Sequence, residues 1–330
     1  MTRVRLRMAT GGRPVAGTAL VVVPGSVNFF NDVAGGRLAD ALGRLGWDVH
    51  TTSLKEYDGR PADVAFLVSV LELFVGCNDA DLAHRQFARL VDAVPEPVMW
   101  LLEPAGTRWF DDSYALFKHC KLRRLADNGL HDQSHLLTAD QAAVYRHLFY
   151  GLTEAEKAAA ARADWDDGRR TIPWVFVGHK TPGRCELAAT LVRDVHPGGL
   201  VYLTDVLPIT ATGPHIKDEA MQRVLRRARY QLWRSHHSGF YQEGERYRRS
   251  VLSGCVPVKV LAEDAPPPGL ELPFPYLVVP ADELSGVLHP DAFADLRARF
   301  LAEYLARPSL EDELAGLLAE VAPAAVRAAA

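Results

Sequence analysis

The chain has 330 residues, 48% of them hydrophobic and 24% charged, with a formal net charge of -4. That length exceeds one ordinary hydrophobic core and suits two domains with a cleft between them, while the composition excludes disordered and fibrous classes. The four cysteines, Cys77, Cys120, Cys185 and Cys255, lie far apart with no CxxC pair, which argues against a disulfide framework or structural zinc and for a reducing, cytoplasmic setting.

The N-terminal stretch MTRVRLRMATGGRPVAG is basic but polar and lacks the apolar run of a signal peptide. No stretch reaches the roughly 18 apolar residues of a membrane span. A soluble protein is expected, with peripheral membrane contact left open.

In chain order, TALVVVPG at 18–25 reads as a buried strand closed by Pro-Gly. GGRLADALGRLGWDV carries Leu38, Ala41, Leu42 and Leu45 at helical spacing, and WDVHTTSL is the next strand, which completes a βαβ unit. Residues 63–74 and 96–104 supply further strands, separated by the helical pattern DADLAHRQFARLVDAV. Residues 111–170 read as charged, alanine-rich helix with few strand signals. IPWVFVGH at 172–179 then restarts the strand, loop, helix logic, followed by the helix RCELAATLVRDV and the strand GGLVYLTDV. A basic helix at 217–234, a helix in FYQEGERYRRSVLSG, the strands VPVKVL and LVVP, and closing helices complete the chain. The expected class is α/β with two Rossmann-like domains, residues 1–165 and 166–330. The last helix either closes the second domain or crosses back to the first.

Two segments carry chemistry. In FVGHKTPGR, a glycine at the end of a buried strand precedes a helix N-terminus, an arrangement suited to a diphosphate. Gly178, Thr181 and Gly183 would form the cradle, with His179, Lys180 and Arg184 as side-chain donors. It is not GxGxxG, so a dinucleotide fingerprint is absent. In the second segment, residues 239–259, Tyr241 and Glu245 share one helix face, as do Glu245 and Arg249, while Arg246 and Ser250 share another. Gly254 and Pro257 turn that helix into a strand. An ordinary βα turn and a solvated ion-pair helix are the bland alternatives to these two readings.

SVLSGCVPVKV resembles the segment in group 1, spore-maturation-type and exostosin-like glycosyltransferases where a helix bearing Arg or Glu runs into a small-Gly-Cys/Val-Pro-Val turn beneath a nucleotide. FVGHKTPGR is similar to the loop that opens their donor domain. The resemblance implies a GT-B fold, two Rossmann-like domains facing each other across a cleft, and sugar transfer from a nucleoside-diphosphate sugar to an acceptor hydroxyl or amine. That sugar nucleotide would be a co-substrate, with no cofactor. It implies Gly178 and Arg184 on the donor diphosphate and Arg246 as the arginine of the glycine-turn helix. Where many group 1 members place a ribose-binding Glu, this chain has Arg249, and Glu243 or Glu245 would take that role from the preceding turn. A nucleotide-binding scaffold, or a sugar-nucleotide epimerase or hydrolase, stays open on the same fold.

PGSVNFFNDVAGGRLADAL resembles the first loop of such enzymes, facing the cleft. Asn28 and Asn31 could then bind an acceptor, and Gly35 and Gly36 would permit close approach at a helix start. Proton removal from the acceptor needs an Asp, Glu or His in the first domain. Asp32 leads, Glu103 and His119 follow, and His84 and Asp111 are fallbacks. His215, His236 and His237 lack a metal-binding pattern and no DxD signature is present, so no metal site is expected. QRVLRRARYQLWRSHH interleaves Arg with Tyr and Trp, but the net negative charge and the confinement of the patch to one helix count against nucleic acid as a partner.

Overall fold

The computed structural model describes residues 16–25, 29–165, 167–205, 218–235, 239–261 and 265–323. The first sheet comprises β1 (Thr18–Val23), β2 (Asp48–Ser53), β3 (Val64–Val68), β4 (Glu96–Leu101), β5 (Arg124–Gly129) and β6 (Tyr145–Phe149). These six strands are ordered β2-β1-β3-β4-β5-β6. All its pairings are parallel, which is why VVV, VAFLV and VMWL are apolar on both faces. One face is covered by α1 (Phe29–Arg44), and the other by α2 (Val70–Cys77), α3 (Ala80–Ala93) and α4 (Arg108–His119), with the short α5 (Ala139–Ala142) before β6.

Helix α6 (Glu154–Arg162) leads into β7 (Ile172–His179), α7 (Pro182–Asp194), β8 (Leu200–Thr204), α8 (Asp218–Arg227), β9 (Ala228–Trp233), α9 (Gly244–Ser253), β10 (Val256–Val260) and β11 (Val278–Val279). This second sheet, also parallel, is ordered β11-β10-β9-β7-β8. Helices α10 (Leu284–Val287) and α11 (Phe293–Leu305) follow, with Phe293 and Phe300 of α11 in the core of the second sheet. Helix α12 (Leu310–Val321) returns to the first sheet, where Leu310, Leu314, Leu317, Leu318 and Val321 share a core with Leu38, Ala41 and Leu42 of α1. The architecture is two Rossmann-like α/β units, the GT-B arrangement. Strand order reverses between β1 and β3 and between β7 and β9, and ligands of such sheets bind at the carboxyl ends of the strands flanking these reversals. No described helix is long and apolar enough to cross a membrane.

Four sequence-based expectations are corrected. Residues 63–74 are not one strand: Ser69 adopts a left-handed conformation, φ 53°, and Val70, Leu73 and Cys77 are then buried at helical spacing in α2. The 111–170 region holds β5 and β6. The polar RLADNG of β5 hides as a strand because its inward Asp127 and Asn128 are satisfied by hydrogen bonds. The basic helix ends at Arg227, and ARYQLW becomes β9, buried between β7 and β10. Helix α1 begins at Phe29, so Gly35 and Gly36 lie inside it rather than at its start.

Candidate functional site

At the β7/β9 reversal the sequence places two glycines beneath two arginine heads. A Cβ on Gly178 would lie 3.1 Å from Arg184 Nη1, and one on Gly183 would lie 3.0 Å from Arg234 Nη2. Thr181 caps α7 by accepting the Arg184 N–H, and Pro182 suits the first turn, where no amide hydrogen is needed. From that turn Arg184 reaches back over the strand ends, donating from Nε to the Arg234 carbonyl at 2.9 Å and from Nη1 to the His179 carbonyl at 3.2 Å. Arg246, from α9, donates to the Val177 carbonyl at 3.0 Å and to Glu243 Oε2 at 2.7 Å, with its guanidinium over Trp233. Burial, and then the charge of Arg246, lowers Arg184 to about 10, with Glu243 opposing. At about 10, Arg184 stays cationic at neutral pH. The charge of Arg246 opposes that of Arg184, and an anion such as a diphosphate would relieve that repulsion through charge-assisted hydrogen bonds. Lys180 pairs with Asp205 at 3.2 Å on the exposed rim.

Carboxylates converge on the same place from the first half. Glu103 follows β4, and burial raises it to about 7, reinforced by Glu72 of α2 and by Glu243 from the second half. Burial also raises the Tyr241 hydroxyl, with Glu243, Asp127 and Glu103 adding to the effect. Asn31, in the first turn of α1, donates to Glu72. Asp32 accepts from the Gly25 N–H at 3.3 Å, so part of its capacity holds the β1 loop. Buried polar atoms with no hydrogen-bond partner among the described residues gather nearby: both ring nitrogens of His131 after β5, Nδ1 of His179 at the end of β7, Nε1 of Trp233 at the end of β9, and Oε1 of Gln242 before α9. Burial, with His147, His135 and Lys259 adding to it, lowers His131 to about 4 and keeps the ring neutral. Unsatisfied groups at these positions suit the hydroxyls of a polar ligand.

The remaining residues of α9 do something else. Glu245 accepts from Tyr150 Oη at 2.6 Å, Arg248 at 2.8 Å and Arg249 at 2.8 Å. Burial pushes its carboxyl up, but Arg248, Arg249 and Arg37 outweigh burial and hold it below its ordinary range. Arg248 also reaches Glu156 of α6, and Arg37 of α1 reaches the same Glu156 at 3.1 Å. The Arg249 guanidinium lies over Phe30 of α1. Glu245 and Arg249 therefore form the polar seam between the two halves. Ser250 donates to Gln231 of β9 at 2.9 Å and is fully buried, which ties helix to strand.

Three further assignments move. His119 ends α4, which returns against the direction of β4, so it lies at the opposite edge of the sheet from Glu103, in ring contact with His84. A Cβ on Gly35 would meet Val23 Cγ1 at 2.2 Å, so that glycine lets α1 pack on β1, whereas Gly36 faces open space. Asn28, His215, His236 and His237 lie outside the described residues. Among the described residues no group of three or more His, Cys, Asp or Glu side chains could hold a metal ion. Sequence reasoning missed Glu72, Arg234, His131 and Gln133. The signal for Glu72 was its place one residue before Leu73 in an apolar run whose period turns helical.

No protein-family description matches the sequence. No curated protein matches it. Solved structures do resemble it in fold. An alpha-glucosyltransferase in complex with UDP and a 13-mer DNA containing a central A:G mismatch superposes with a TM-score of 0.58 at 8% identity, covering 92% of this chain and 99% of that one. An alpha-glucosyltransferase with UDP-glucose and DNA containing an abasic site gives 0.56 at 7% identity, over 92% and 98%. A DNA-modifying beta-glucosyltransferase, solved with and without uridine diphosphoglucose, gives 0.50 at 9% identity, over 92% and 99%. These likenesses show the GT-B fold, without singling out the spore-maturation or exostosin-like groups. They also overturn the argument against nucleic acid as a partner. Two of these structures of the same fold hold DNA.

Proposed function

We propose that this chain is a glycosyltransferase that moves a sugar from a nucleoside-diphosphate sugar of the UDP-glucose class to an acceptor hydroxyl or amine, without a metal ion. The observation that carries the reading is that Arg184 and Arg246 both donate to carbonyls at the carboxyl end of β7, beside Gly178, with Glu103 at the end of β4 feeling the charge of Glu243. The donor diphosphate occupies the β7/β9 reversal against Arg184 and Arg246, with Gly178 allowing close approach. Residues 166–330 supply this side and residues 1–165 the acceptor side, to which α12 is added. The bond between the anomeric carbon and the diphosphate oxygen breaks, the acceptor oxygen bonds that carbon, and Glu103 takes the acceptor proton. The leaving diphosphate keeps the bond electrons, and its charge is met by the two guanidiniums. A carboxyl with a pKa near 7 is well matched to proton removal at neutral pH. Glu103 replaces Asp32 as the leading base.

UDP release from UDP-glucose tests this, with DNA containing a HMU base as the first acceptor because one structure of similar fold was solved with such DNA. Arg246→Ala should lower turnover about 10²–10³-fold and Glu103→Gln about 10²–10⁴-fold, with both variants folded. Binding of UDP-glucose without turnover on any acceptor would refute transfer and leave a nucleotide-binding protein.

A further inference from the structure

The loop that carries Glu103 is pinned at one buried point. The Ala105 N–H donates to Gln133 Oε1 at 2.9 Å, and Gln133 Nε2 donates to Asp127 Oδ2 at 3.2 Å. Tyr145 Oη donates to the same Asp127 oxygen at 2.7 Å and accepts from the Gln133 main-chain N–H at 3.2 Å. Ala105, Asp127 and Gln133 are all buried. A primary amide has one donating and one accepting end. Because the Asp127 oxygen accepts, Gln133 must turn its NH₂ toward it, and its carbonyl is then left facing Ala105. Two residues after Ala105, the Thr107 hydroxyl donates to the Pro104 carbonyl at 2.7 Å and Thr107 caps α4, so the segment has little slack.

We propose that Gln133 is the positioning residue of the reaction: oriented by Asp127 and Tyr145, its amide fixes the loop that carries Glu103 at the end of β4. This rests on the reading of Glu103 as the proton acceptor. Gln133 and Asp127 act through the loop, and Asp127 serves as a hydrogen-bond acceptor rather than a second base. Burial pushes Asp127 up to about 7, yet a protonated carboxyl keeps a carbonyl oxygen, so its role in orienting Gln133 holds in either state.

The test compares Gln133→Met, Asp127→Asn and Asp127→Leu, each confirmed folded by thermal melting. In each, the Glu103 carboxyl is titrated by carbon NMR and UDP release from UDP-glucose is followed against pH. At position 127 Asn keeps an accepting oxygen for Gln133 and Tyr145 and Leu does not, while Met at position 133 removes the amide itself. Gln133→Met and Asp127→Leu should move the Glu103 midpoint down toward the ordinary carboxylate range. They should also cut kcat about 10²-fold, the scale for displacing a reacting group by an ångström, with KM for UDP-glucose unchanged. Asp127→Asn should leave both readouts as in the wild type. A wild-type Glu103 titration in Gln133→Met overturns the proposal, as does an Asp127→Asn variant impaired as much as Asp127→Leu. Should Gln133→Met not fold, the Asp127 pair decides. Wild-type turnover in Glu103→Gln would instead sink the base assignment, while the NMR titration still decides the role of Gln133.

Discussion

Replacing Glu103 by Gln should trade activity for stability in a pH-dependent way. The carboxyl has a reference pKa of 4.5 and is held at about 7 in the folded protein, because burial and the charges of Glu72 and Glu243 penalise its ionised form. Between those values the folded state binds more protons than the unfolded state, so this group lowers stability as pH rises. The penalty is absent below the unfolded value and complete above the folded one. At 1.36 kcal/mol per pKa unit the shift corresponds to about 3 kcal/mol. Asp127, held at about 7 by burial against its Tyr145 and Gln133 hydrogen bonds, acts with the same sign, but it is common to both proteins and cancels in their difference. Urea unfolding at pH 4 and pH 8 should therefore show Glu103→Gln gaining about 3 kcal/mol on the wild type at the higher pH and little at the lower. The wild-type rate of UDP release should rise with pH through a midpoint near 7. Stability curves that run parallel in the two proteins from pH 4 to pH 8 would refute the description of this carboxyl.

Arg248→Met should destabilise the protein by about 3–5 kcal/mol in urea unfolding, because it leaves Glu156 and Glu245 buried with fewer cations. Burial favours protonating Glu156, but Arg37 and Arg248 prevail and lower it from 4.5 to about 2. The stability it contributes is complete above its unfolded value and is lost as pH falls through that window, and acid titration of Arg248→Met should show a shallower loss there. Gly178→Ala should weaken UDP-glucose binding in calorimetry several-fold with a small change in melting temperature, since the new methyl displaces only the flexible head of Arg184. Gly35→Ala should do the reverse, costing about 1–3 kcal/mol by overpacking against Val23 and leaving KM for UDP-glucose unchanged.

What the sequence revealed depended on whether a residue's neighbours were close along the chain. The β7 loop and its helix were readable because Gly178, Thr181, Pro182 and Arg184 perform their roles within one turn of one another. So were the parallel strands that are apolar on both faces. β5 was hidden because Asp127 looks like a loop residue until Tyr145 and Gln133 supply its hydrogen bonds. β9 was hidden by the arginines flanking it, which made a buried central strand read as the tail of a basic helix. Among the site residues, Glu103 gains its character from Glu72 and Glu243, which belong to other elements. Glu245 seemed matched to a ribose, and Arg249 to the donor, only while α9 was read alone. Once Tyr150 and Phe30 of the first half arrive, both are occupied.

The return of α12 to the first sheet means that the chain passes between the halves twice, and the two passages lie side by side. Leu310 donates its N–H to the Leu152 carbonyl at 2.9 Å, and a Cβ on Gly151 would meet the Pro308 carbonyl at 2.5 Å. Two strands of backbone clipped together act as a doubled strap rather than a string, and restrain one half against the other more than a single connection would.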